Sequence, residues 1–165
     1  MDDVDIRDSD LIHIDVCIGR LSNAHRTLRE VQKHAGHPLM GPAFQYALVE
    51  YCTTFSTSKV AGERSRKLDI RMVPPELRGL HNRILTARHQ LLAHADLSIL
   101  DGTVEFRLYE GRPATTTTLN HLDPLEELPN LSSILHLIEQ VHLNLFIERR
   151  RLLASLYPGG QDAPE

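Results

Sequence analysis

Stretches of helical hydrophobic spacing alternate along the chain with short breaks at glycine and proline. From about Ser9, the residues Leu11, Ile14, Ile18, Leu21, His25 and Leu28 recur at spacings of three and four, which puts them on one helical face. Ala35-Gly36-His37-Pro38 stops this helix and begins a loop. Pro42 restarts a helix whose inner stripe is Phe44, Leu48, Tyr51 and Phe55. Thr53 to Ser58 is rich in Ser and Thr, so this second helix depends on packing more than on propensity. Pro74-Pro75-Glu76 opens a third helix that runs to about Ala95, with proline in its first turn and an acid near the positive end of its dipole.

The period then changes. Asp101-Gly102 makes a turn, and Thr103 to Tyr109 alternates, with Val104, Phe106 and Leu108 on one side and Glu105 and Arg107 on the other. Gly111-Arg112-Pro113 turns the chain, and Thr115 to Thr118 suits a second strand. His121 to Pro129 reads as a linker, and Leu131 to Leu156 as a last long helix, apolar over a wide arc and largely buried. Pro158-Gly159-Gly160 ends it. The expected fold is all-α: a bundle of four to five helices with a small β-hairpin between the third and fourth long helices. One domain spans residues 1–157, with an acidic, frayed start over 1–9 and a disordered tail over 158–165.

Composition sharpens this. The chain has 165 residues, enough for one domain with a real core, and 26 of them are leucine. Four Phe, four Tyr and no Trp leave few aromatics, which favours helices over a β-sandwich. No apolar run approaches the length of a membrane span, so no membrane partner is expected. Met1 to Asp10 carries five aspartates and one arginine, the reverse of a secretory signal. Cys17 and Cys52 are too few for a disulfide framework and lack metal-site spacing. These features together predict a soluble, cytoplasmic protein. A net charge of −4 speaks against a surface coated in basic residues for indiscriminate nucleic-acid binding.

One residue breaks the leucine pattern. With Leu77 at ~0° on an ideal wheel, Leu80, Ile84 and Leu91 fall at ~300°, ~340° and ~320°, and Leu85 and Leu92 at ~80° and ~60°. Arg88 falls at ~20°, near the centre of this apolar face, and His81 at ~40°. An arginine cannot shed its charge, and its five donors need partners. Arg88 therefore meets a carboxylate inside the bundle, snorkels to its surface, or faces a subunit interface or a cleft.

The residues around it, Arg88-His89-Gln90-Leu91-Leu92-Ala93-His94-Ala95-Asp96, resemble the signature motif of HEPN-domain proteins. In that family an arginine precedes a histidine by four to six intervening residues, and here five intervene between Arg88 and His94. The resemblance is sharp over Pro74 to Asp96 and elsewhere rests on architecture. Arg83 and His89 share the same spacing but fall at ~240° and ~120°, on the polar face. Ideal geometry puts His94 about 120° from Arg88, so the two converge only if the helix ends or bends near His94 or if two chains pool their pairs. The resemblance implies the second route, because HEPN proteins usually form homodimers with paired motifs lining a shared cleft.

Members with this motif are often metal-independent RNases. RNA supplies its own nucleophile, the 2′-hydroxyl. Histidine can move that proton near neutral pH, and arginine matches phosphate oxygens with a permanent planar fork. The resemblance thus implies His94 as general acid/base and Arg88 as phosphate clamp, with His89, His81 and Asp96 in support and no cofactor or metal. It implies a 5′-hydroxyl and a cyclic phosphate as products, and a toxin–antitoxin or phage-defence setting. Some HEPN toxins carry a tyrosine two residues after the histidine, which a partner antitoxin modifies. Asp96 stands there in this chain, so control by that route is not expected.

Charge agrees with a polyanionic partner. Residues 59–89 hold eight basic against three acidic residues, a net of +5 that leaves −9 for the remainder. Arg64, Arg66, Lys67, Arg71, Arg78 and Arg83 are the candidate RNA-binding residues, with a solvated turn as the competing reading. No aromatic interleaves them, so the sequence offers no surface for base stacking. Glu139 and His142 form a single Glu-x-x-His pair, where a di-iron bundle needs two.

Overall fold

The computed structural model describes residues 3–57, 66–92, 102–119 and 125–156. Helix α1 spans Asp3–Lys33, α2 Met40–Thr54, α3 Arg78–Leu92 and α4 Leu131–Leu156. Strands β1 (Gly102–Tyr109) and β2 (Arg112–Leu119) form an antiparallel hairpin between α3 and α4. The fold is mainly α-helical, as the periodicity predicts. No helix among the described residues is long and apolar enough to cross a membrane.

Helix α1 is the centre of the bundle, packing against both α2 and α4. Its stripe of Cys17, Leu21, Ala24 and Leu28 is buried against Phe44, Leu48 and Tyr51 of α2 and Ile134, Leu137, Ile138, Val141 and Leu145 of α4. Each fully buried large aliphatic side chain contributes roughly 1.5–3 kcal/mol, so these rows hold the bundle together. Helix α1 begins at Asp3 rather than near Ser9 and extends into the stretch expected to fray. Gly36, at a φ of +87°, ends the α1 turn where the sequence placed the stop.

Residues 68–73, before α3, contribute to the core. Leu68 and Val73 are buried, Leu68 N–H donates to the Thr54 carbonyl, and Asn144 of α4 donates to the Met72 carbonyl. Pro75–Leu77 forms a 3₁₀ turn, and the α-helix proper begins at Arg78. α3 then packs on α2 through Leu80 and Ile84.

The hairpin turn differs from expectation. Tyr109 pairs with Arg112, leaving Glu110 and Gly111 as a two-residue loop with φ of 50° and 74°. Paired left-handed residues give the turn whose twist matches that of the strands, so Arg112 and Pro113 join β2. Pro113 lies opposite Leu108, tolerated because a two-stranded sheet consists only of edges. Val104, Phe106, Leu108 and Tyr109 are all exposed.

Candidate functional site

The end of α2 and the middle of α3 meet in a seam with a polar interior. Tyr51 and Phe55 project from α2, and His81 from α3. His81 is buried, its Nδ1 lying 2.7 Å from the Tyr51 hydroxyl, and its ring meets Phe55 edge-on at a centroid distance of 4.5 Å. Burial pushes the His81 imidazole below its ordinary value, so it is neutral at pH 7. Burial also pushes the Tyr51 hydroxyl up, so it keeps its proton.

Cys52 lies between the two helices, its thiol 3.7 Å from the Ile84 carbonyl. Burial pushes it up to about 12 despite the opposing pull of Arg88. It is a packed thiol and not a nucleophile at neutral pH.

One turn beyond Leu85, Arg88 reaches back to α2. Its Nη1 donates to Ser56 Oγ at 2.7 Å, and Ser56 Oγ donates to the Cys52 carbonyl at 2.9 Å. The hydroxyl is thereby fixed as an acceptor for the guanidinium. Arg88 Nε is enclosed and has no partner among the described residues. No described carboxylate pairs with Arg88 either, so the charge that the leucine pattern could not explain is held by a neutral hydroxyl. An enclosed donor left unsatisfied costs about 1–3 kcal/mol.

The basic residues around it divide into two groups. Arg66 bonds Ser9 and pairs with Asp10 at 3.2 Å, tying the segment after α2 to α1. Arg71 pairs with Asp69 at 3.0 Å. Arg83 donates to Glu127 at 2.7 Å, and Asn130 holds the second oxygen of that carboxylate at 2.8 Å. Burial alone would raise the Glu127 carboxyl, but the Arg83 and Asn130 hydrogen bonds and the Arg83 charge hold it below its ordinary value. These three arginines are therefore matched by carboxylates, two of them from distant parts of the chain. Lys67, Arg78 and Arg88 have no carboxylate partner among the described residues. Among the described residues, Arg78 donates only to the Val73 carbonyl, at 3.4 Å.

His89 lies within α3. Arg64, His94 and Asp96 lie outside the described residues. His25, Glu139 and His142 serve the α1–α4 contact. Glu139 accepts from His25 at 2.9 Å and Arg29 at 3.1 Å, and His142 bonds Ser22 at 3.1 Å.

Beside the Tyr51–His81 pair lies a cleft of about 400 Å³, lined by Phe55, Lys67, Leu68, Asp69, Ile70, His81, Asn82 and Leu85. A smaller, nearly apolar hollow of about 280 Å³ sits at the opposite end of α2, beside Val31, Leu39, Met40 and Ala43. No protein-family model matches the chain, and no curated protein or solved structure matches it significantly.

Three side chains in this region had no functional reading in the sequence. Ser56 was signalled only by the Ser/Thr run that ends α2. Tyr51 and Phe55 read as ordinary members of an apolar stripe. Nothing local links residue 56 to residue 88.

Proposed function

We propose that the chain is a HEPN-like, metal-independent endoribonuclease that acts as a homodimer in a toxin–antitoxin or phage-defence setting. The observation that carries this reading is the state of Arg88. Its guanidinium sits half-buried on an apolar helix face, bound to Ser56 and to no described carboxylate, with Nε enclosed and unpartnered. Such a group is poised for an anion, and a planar fork suits two phosphate oxygens.

In this mechanism Arg88 holds the scissile phosphate and stabilises charge on the pentacoordinate phosphorus. His94 takes the 2′-hydroxyl proton as that oxygen attacks phosphorus. The P–O5′ bond breaks, a proton returns to the leaving oxygen, and the products carry a cyclic phosphate and a 5′-hydroxyl. The pooled motifs of two chains bring arginine and histidine into one cleft.

The test is RNA cleavage by purified protein in the presence of a chelator, compared with Arg88→Ala and His94→Ala. Each change is expected to lower the rate by about 100-fold or more. Undiminished cleavage in both variants overturns the assignment.

A second reading is a non-catalytic interaction module. It is favoured by exposed Ile12 and Val16 on α1 and exposed Leu143, Phe146 and Ile147 on α4. It predicts self-association without RNA cleavage at any protein concentration.

A further inference from the structure

The cleft beside His81 has the make-up of a site for a flat ring with polar edges. Its floor is apolar, formed by Phe55, Leu85 and the buried Leu68. Phe55 is only half-buried although its ring touches both Tyr51 and His81, so part of it remains open to the cleft. The polar groups are at the rim. Asn82 and Lys67 are exposed and have no hydrogen-bond partner among the described residues. Asp69 accepts from Arg71 through both oxygens and retains further acceptor capacity. His81 spends Nδ1 on Tyr51, which leaves Nε2 without a partner among the described residues. Donors and acceptors over an aromatic floor are what single-stranded RNA recognition uses, stacking a base on a ring and reading its edge.

Position ties the cleft to Arg88. Ser56, which holds Arg88, follows Phe55 directly in the chain, and Leu85 lies one helical turn before Arg88. His81 is seven residues before Arg88, about 10 Å along the helix axis, the scale of one nucleotide. A phosphate on Arg88 would place the attached nucleoside over Leu85 and Phe55, towards Asn82.

We propose that this cleft is a nucleobase subsite, in which Phe55 stacks the base and Asn82 and His81 read its edge, next to a phosphate held by Arg88. The subsite rests on the RNA reading of Arg88 and adds a base preference to it. No local pattern of residues signals it, because the stacking ring comes from α2 and the polar edge from α3.

The experiment is calorimetric titration of the full chain with the four ribonucleoside 3′-monophosphates, the matching nucleosides and inorganic phosphate. Asn82→Ala, Phe55→Leu and Arg88→Ala are titrated alongside, each first shown to be folded by its melting transition. At least one nucleotide is expected to bind tenfold or more tightly than phosphate. Asn82→Ala and Phe55→Leu are each expected to reduce that margin threefold or more while phosphate affinity holds. Arg88→Ala is expected to weaken phosphate and nucleotide in parallel. A nucleotide that binds no better than phosphate overturns the subsite and leaves the phosphate clamp standing. A margin that neither cleft variant reduces overturns the subsite in the same way. Nucleoside binding that depends on Asn82, with phosphate binding indifferent to Arg88, upholds the subsite and overturns the clamp. Failure of every ligand to bind overturns both.

Discussion

The Tyr51 hydroxyl and His81 Nδ1 lie 2.7 Å apart in the seam between α2 and α3, the one bonded pair of buried polar side chains that joins these helices among the described residues. The Tyr51 hydroxyl and the Nδ1 edge of His81 are buried together, and each of these two atoms satisfies the other. Tyr51→Phe leaves the imidazole nitrogen without its partner and is expected to cost about 1–3 kcal/mol in urea unfolding. The accompanying loss in packing is small, because the ring stays. An unchanged midpoint and slope would show that the pair is not formed in solution.

The same histidine gives stability a pH dependence. Burial lowers its folded pKa below the ordinary 6.5, so the unfolded chain binds this proton first as pH falls. Folding stability should thus decline from just above pH 6.5 downward and level off only below the folded pKa. His13 and His142, also lowered chiefly by burial, add to the same trend. Denaturant unfolding from about pH 7.5 to about pH 5 should give a steeper decline for the native chain than for His81→Gln, which keeps a group able to bond Tyr51 but does not titrate. Equal slopes would remove His81 from the titration.

Arg88 is expected to show a conflict between stability and function. Replacing a poorly satisfied, half-buried charge with an apolar side chain is often neutral or stabilising. Arg88→Leu should match or exceed the native chain in thermal stability by up to about 2 kcal/mol while phosphate binding is lost. A large loss of stability would instead mark Arg88 as a structural residue.

The helix seams should respond to truncation in the ordinary way. Ile84 and Leu48 are almost completely buried at the α2–α3 and α1–α2 contacts. Either residue changed to alanine should cost about 2–5 kcal/mol by equilibrium unfolding. A cost below about 1 kcal/mol would mean that the helix has shifted to fill the space.

The hairpin should behave as an appendage. Phe106 is 80% exposed, so Phe106→Ser is expected to change bundle stability by less than about 0.5 kcal/mol. Gly111→Ala places a side chain at a φ of +74° and should loosen the hairpin turn, a strain of about 1–2 kcal/mol. Protection of hairpin amides from hydrogen exchange would read it out, with the bundle amides unaffected.

Hydrophobic spacing by itself determined the four helices and the β-hairpin, because each depends on residues only a few positions apart, but it overstated the burial of α4, whose Leu143, Phe146 and Ile147 are exposed. The stop at Gly36 and the anomaly of Arg88 were legible for the same reason: both are conflicts between a residue and its immediate pattern. The hairpin turn and the packing of Leu68 and Val73 were not, since strand twist and core contact override spacing. Charge counting over residues 59–89 marked a basic segment, but only the tertiary structure decided which of its described charges have described carboxylate partners. Arg83 finds Glu127 across 44 residues and Arg66 finds Ser9 across 57, pairings that no local period encodes. Arg88, 32 residues from Ser56, has that hydroxyl and no carboxylate among the described residues. The packing of α3 on α2 made that difference, and it also set Phe55 beside a basic segment that holds no aromatic of its own.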